Sequence, residues 1–237
     1  MTQQAHSGPN AMEALYPFLY ADESDLSGVL AQVRASTVAK TQEIMDLRRT
    51  VAAREAARLA NCAEDMAARF AAGGRLFAFG NGGSATDAQQ LATLFLNPGE
   101  GKTPLPAFGL ANDTSVVTAL CNDIEVGVVF ARQLAAFGRR EDIAVGLSTS
   151  GNSENLLRAF AEASRRGMLS VGLAGYEGGR MAEADGIDYL FVAPSSSVHR
   201  IQEAQTTMYH VLWELTLGSL ERRQRAGRRR KARQEPK

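Results

Sequence analysis

Residues 75–84, RLFAFGNGGS, and residues 142–153, DIAVGLSTSGNS, decide the fold of this chain. Each stretch begins as a short apolar run and breaks into a turn of Gly, Asn and Ser. Each is followed by a helix-like segment, 84–96 in the first case and 154–166 in the second. Further strand candidates lie at 105–110, 168–174 and 189–192, and further helix candidates at 114–121, 127–137 and 198–220. Strands that alternate with helices of about 10–15 residues imply βαβ units and a parallel sheet. The expected class is therefore α/β. Ligands of such sheets sit beyond the carboxyl ends of the strands, which is where both turns fall.

The chemistry of the two turns is the same. A helix N-terminus presents unpaired backbone N–H groups and the positive end of the helix dipole. Glycine lets the backbone approach an anion closely, and Ser and Thr hydroxyls add neutral donors. Two such turns, each at a strand-to-helix junction, predict a phosphate cradle. The first turn is neither the G-x-G-x-x-G dinucleotide fingerprint nor a P-loop with its lysine. Neither turn supplies Lys or Arg, so neutral groups would hold the anion.

Outward from this centre, Ile44, Leu47, Val51, Leu59, Met66 and Phe70 recur at spacings of 3, 4 and 7 and combinations of them. They predict one or two long helices over 36–72, halted by Gly73-Gly74, which cover the sheet or a partner subunit. Residues 11–34 read as one or two short helices with Pro17 as a breaker, and 1–10 as disordered. The expected organisation is an extension at 1–35, a domain at 36–221 and a basic disordered tail at 222–237.

The chain has 237 residues, 45% of them apolar, enough for one core. Its 26 Lys+Arg balance 26 Asp+Glu, but residues 222–237 hold nine of the basic residues against Glu235 alone. That leaves 17 basic and 25 acidic residues elsewhere, a net of −8. The tail reads as a solvated end or, more sharply, as an electrostatic contact for nucleic acid or an acidic partner. No aromatic residue is interleaved, so base stacking is not implied. Cys62 and Cys121 form no disulfide framework and point to a reducing compartment. With no leader-like N-terminus and no apolar run long enough to cross a bilayer, the expected location is the cytoplasm.

The segments FGNGGSATDAQQLA (79–92), LCND (120–123), GLSTSGNSENLLRA (146–159), LAGYEGGRMA (173–182) and HRIQEAQTTMYHVLWEL (199–215) resemble the sugar isomerase (SIS) family. The resemblance runs over about residues 40–221 and is strongest to the phosphoheptose isomerase branch. It implies a three-layer αβα sandwich and interconversion of sedoheptulose 7-phosphate with a manno-heptose 7-phosphate. It also implies a homotetramer or homodimer, since that branch builds sites at subunit contacts. By resemblance, Asn81, Gly82 and Gly83 contact substrate and Ser84 lies close to the phosphate. Asn122 and Asp123 form a further substrate-contacting pair. Ser148, Thr149, Ser150 and Ser153 hold the phosphate. Gln202 touches substrate and, in zinc-containing members, the metal. His210 matches a metal-binding and catalytic histidine.

Two positions depart from that pattern. Members with isomerase activity carry His and Glu six and ten residues after the serine, where this chain has Gln90 and Leu94. The two share a helix face. Leucine accepts no proton, and a general acid–base group is worth roughly 10²–10⁴ in rate. Zinc would keep at most Gln202 and His210, short of a usual site, so no cofactor is expected. His199, Glu203 and His210 fall on one side of the last helix. His199 and His210 are about 16 Å apart along it, too far to share one metal. The readings are thus a sugar-phosphate isomerase using His210, assisted by Gln90 or Asp123, or a non-catalytic oligomeric adaptor. The adaptor would resemble the SIS protein that associates with the bacterial replication initiator and also lacks that Glu. A third reading, another sugar-phosphate or aminosugar isomerase, keeps the fold and changes the substrate.

Overall fold

The structure, a computed structural model, describes residues 26–234, with side chains described through Ala226. It divides into two units, residues 1–45 and 46–237. Helix α1 (Leu26–Ala71) begins in the first and ends in the second. It is already helical at Leu26, ten residues before the expected 36, because no proline and only Gly28 interrupts this stretch. Of the short helices expected at 11–34, only residues 26–34 are described, and they belong to α1; the rest, with Pro17, lies outside the described residues. The expected stop holds. Gly73 takes φ 84° just past the helix, and Gly74 N–H donates to Arg69 O at 2.9 Å.

After α1 the elements are β1 (Leu76–Gly80), α2 (Gly83–Leu96), β2 (Ala107–Gly109), α3 (Thr114–Asp123), α4 (Val129–Phe137) and β3 (Ile143–Ser148). They continue as α5 (Glu154–Arg165), β4 (Leu169–Gly175), α6 (Gly179–Glu183), β5 (Tyr189–Ala193) and α7 (Val198–Gln234). A 3₁₀ turn, Val126–Val128, leads into α4, where the sequence predicted helix from 127. The five strands form one sheet in the order β2-β1-β3-β4-β5, every pair parallel. Strand order reverses between β1 and β3. The ends of these two strands face each other in register, Gly80 beside Leu147. Such a switch point opens a crevice at the carboxyl edge.

Side chains alternate across the sheet. Phe77 and Phe79 of β1 join Phe130, Leu134, Leu156 and Phe160 in a core under α4 and α5. Phe79 lies 5.5 Å from the Phe130 ring and 5.4 Å from the Phe160 ring. On the opposite face, α2 and α7 pack on each other and on the strands. The end of α1 joins them through the Phe70–Phe95 ring pair at 5.3 Å. The three expected layers are present. At the amino edge, Asp142 is 1% exposed and bridges β1 to β3. It accepts from Arg75 N and Nε (2.8 and 3.2 Å), Arg75 Nη2 (2.7 Å) and Arg139 N (2.9 Å).

The last helix does not end at 220. It runs to Gln234, so residues 222–234 are helical and not a disordered tail. Arg, Lys, Ala and Gln are good helix formers, and Arg222 and Arg223 both reach Glu64 of α1. Among the described residues, no helix is long and apolar enough to cross a membrane.

Candidate functional site

Both predicted turns lie at the carboxyl edge, on either side of the switch point. The first follows β1, with Gly82 as the N-cap of α2; the second follows β3, with Ser153 as the N-cap of α5. Neither N-cap makes a side-chain capping bond. Among the described residues, the N–H groups of Glu154 and Asn155 in α5 and of Gly83 in α2 are thus left for another acceptor, whereas Ser84 and Ala85 N–H already donate to Asn81 O and Gly82 O, each at 3.0 Å. An Asn amide pair joins the turns: Asn81 Nδ2 donates to Asn155 Oδ1, and Asn155 Nδ2 returns to Asn81 Oδ1, each at 2.9 Å.

The second turn is braced from two sides. Ser148 Oγ is buried, accepts from Gly151 N–H at 3.1 Å and lies 3.2 Å from Ser153 Oγ. Ser150 Oγ accepts from Asn152 N–H at 3.2 Å. Gly151 has φ 68°, and a Cβ there would collide with the Gly178 carbonyl, so only glycine lets the loops after β3 and β4 meet. Asn152 Oδ1 then accepts from Arg180 N–H at 3.0 Å. Below, Gln205 of α7 is fully buried and donates to Ser148 O at 3.4 Å, leaving its own Oε1 unpartnered. An open cleft of about 730 Å³, lined by Ser150, Asn152, Tyr176 and Ser195 among others, adjoins this turn. Thr149 and Ser150 are half-buried.

The other predicted residues fall on helices. Ser84 is buried in the first turn of α2. Gln202 of α7 lies against that turn: its Nε2 is 3.3 Å from Asp87 Oδ2. A Cβ on Gly83 would stand 2.5 Å from the same nitrogen. Burial pushes the Asp87 carboxyl above its ordinary range, and the Gln202 hydrogen bond partly offsets this. His210 is half-buried, its ring 5.0 Å from that of Tyr209. Its Nδ1 is 2.8 Å from Thr206 O. A carbonyl only accepts, so Nδ1 carries a proton and Nε2 is the free nitrogen.

Not every candidate joins this group. Asn122 and Asp123 are exposed at the end of α3 and bond each other, Asn122 Nδ2 to Asp123 Oδ1 at 2.9 Å. No hydrogen bond ties them to either turn among the described residues. Gln90 is exposed and Leu94 half-buried on α2. His199 is exposed and Glu203 pairs with Arg200, so His199, Glu203 and His210 form no cluster. Asp87, Asn155 and Gln205 were not singled out by sequence reasoning. Asn155 and Gln205 carry a faint signal, a polar residue on a face that is otherwise apolar.

The donors do not fit a zinc site. Gln202 turns its amide nitrogen to Asp87, position 94 is a hydrocarbon, and among the described residues no three His, Cys, Asp or Glu side chains converge.

Gly83→Ala tests how closely α2 and α7 approach. Alanine suits the first turn of a helix, and the atom it meets is the end of a flexible side chain. Melting temperature is expected to change little. Withdrawing Gln202 should weaken phosphosugar binding by roughly 3–10-fold, the worth of one neutral hydrogen bond. A large fall in melting temperature, or unchanged affinity by calorimetry, would contradict this.

Residues 41–175 match the SIS domain family. The phosphoheptose isomerase of Desulfovibrio desulfuricans is 46% identical over 171 residues, 72% of this chain and 80% of that protein. The phosphoheptose isomerase of Thermodesulfovibrio yellowstonii is 41% identical over 154 residues, 65% of this chain and 76% of that protein. Among solved structures, a phosphoheptose isomerase from Neisseria gonorrhoeae superposes with a TM-score of 0.72 at 32% identity. One from Francisella tularensis does so with a TM-score of 0.74 at 29% identity. In each case 78% of this chain and 98% of the other are covered.

Proposed function

Because the chain belongs to the phosphoheptose isomerase family of SIS-domain proteins, we propose that it isomerises a sugar phosphate, interconverting sedoheptulose 7-phosphate and a manno-heptose 7-phosphate. The observation that carries this reading is the pair of helix N-termini without side-chain caps at the β1/β3 switch point, tied together by Asn81 and Asn155. Their N–H groups, with the hydroxyls of Ser148, Thr149, Ser150 and Ser153, hold the phosphate. Ser84 completes the first turn. The sugar then extends along the seam between α2 and α7, past Gly83 and Gln202, to His210. His210 leans back along α7 to Thr206, and its Nε2 moves a proton at the sugar oxygens. Asn122 and Asp123 serve as outer substrate contacts.

A homo-oligomer, tetramer or dimer, fits the exposed Leu26, Leu30 and Val33 on one face of α1. The cytoplasm, where Cys62 and Cys121 stay reduced, is the compartment implied. A second reading, a non-catalytic adaptor that keeps the ligand, is favoured by Gln90 and Leu94.

Conversion of sedoheptulose 7-phosphate by the purified chain, followed by NMR with and without a chelator, tests the proposal. An aldose 7-phosphate should accumulate at a rate the chelator leaves unchanged. Binding without turnover would favour the adaptor. Turnover abolished by chelator and restored by zinc would overturn the metal-free site.

A further inference from the structure

Aldose–ketose isomerisation needs a group that carries a proton between two adjacent carbons. Gln90 and Leu94 cannot serve. Asp87 is the only ionisable side chain on α2. It lies four residues after Gly83 and seven before Leu94, so Gly83, Asp87, Gln90 and Leu94 form one stripe of the helix. At about 100° per residue, Asp87 and Leu94 differ by roughly 20° around the axis. Asp87 therefore faces where the side chain at 94 faces, about two turns nearer the phosphate turn. It is half-buried, and Gln202 Nε2, 3.3 Å from its Oδ2, holds it at the α2–α7 seam.

We propose that Asp87 is the catalytic base, the carboxylate that moves the proton between C1 and C2 of the bound sugar phosphate. This rests on the isomerase reading. In the ketose-to-aldose direction, Asp87 takes a proton from C1. The C–H electron pair forms the C1–C2 double bond, and the carbonyl π pair moves to O2. His210 Nε2, bare in this tautomer, takes the O1 proton and passes it to O2. The O1 electron pair then forms the C1 carbonyl, and the C1–C2 π pair takes the proton back from Asp87 at C2. Atoms and charge balance with no co-reactant.

The test uses the full chain with sedoheptulose 7-phosphate in D₂O, reading hydrogen exchange at C1 by NMR and affinity by calorimetry. Asp87→Asn keeps the size of the side chain and its contact with Gln202. It should lower turnover and exchange by about 10²–10⁴-fold and leave the dissociation constant within about threefold. Asp87→Glu, which keeps a carboxylate, should retain measurable exchange. Exchange within about tenfold of wild type in Asp87→Asn would overturn the proposal and leave the isomerase reading intact. Loss of binding together with exchange in Asp87→Asn would also overturn it, making Asp87 a binding or structural group. Wild-type protein that binds the phosphosugar but exchanges nothing would overturn both the proposal and the isomerase reading. Wild type that does not bind would overturn the cradle as well.

Discussion

Ser148→Ala combined with Ser150→Ala is expected to abolish measurable binding of sedoheptulose 7-phosphate. The turn after β3 carries no cation, so its hydroxyls and N–H groups would share the whole charge of a phosphate held there. A hydrogen bond to a charged group is worth about 1.5–3 kcal/mol, and two lost together correspond to roughly 10²–10⁴ in affinity. Ser148 has a second effect. Its oxygen accepts from Gly151 N–H and neighbours Ser153 Oγ, so removing it also releases the turn that aims the α5 N-terminus. The core is untouched, and the fold should survive. Calorimetry on wild type and double variant reads the difference. Equal affinities would show that the phosphate is held elsewhere.

Asp142→Ala is expected to cost the fold about 3–5 kcal/mol, the usual effect of removing one partner of a buried ion pair. The substitution strands the Arg75 guanidinium and the N–H groups of Arg75 and Arg139, all directed at one carboxylate. The hydrogen bond to Asp142 is what holds the Arg75 pKa above its ordinary value. For a chain of this size the melting temperature should fall by on the order of 10 °C. Asp142 lies at the amino edge of the sheet, opposite the phosphate turns, so binding by the folded fraction should be unchanged. A shift of less than about 2 °C would mean that the β1–β3 pairing does not depend on this bridge.

The centre of the site was legible because its chemistry is local. GNGGS and STSGNS each carry the strand end, the turn and the helix start within about ten residues, and period and composition expose all three. What stayed hidden depends on partners far apart in sequence. Asn81 and Asn155 are 74 positions apart, and Gln205 supports Ser148 across 57. Asp87 reads as an ordinary polar helix residue until Gln202, 115 positions on, is packed against it. Helix α6 has no counterpart among the sequence-based elements because its five residues open on Gly179, after Gly178, and are too few to show a helical period. The basic end of α7 was misread for the opposite reason. Its charge suggested a solvated tail, while its Arg, Lys, Ala and Gln content favours helix all the same. The family resemblance adds what neither period nor composition carries, an expected sugar and the significance of positions 90 and 94.

A crystal structure with sedoheptulose 7-phosphate bound tests the central claim most directly. The phosphate is expected within hydrogen-bond distance of Ser148, Ser150 and Ser153 at the N-terminus of α5, with the carbonyl end of the sugar at the α2–α7 seam beside Asp87. A phosphate out of reach of Ser148 and Ser153, seated instead against Tyr176 and Ser195 on the far side of the neighbouring cleft, or a sugar turned away from α2, would contradict it.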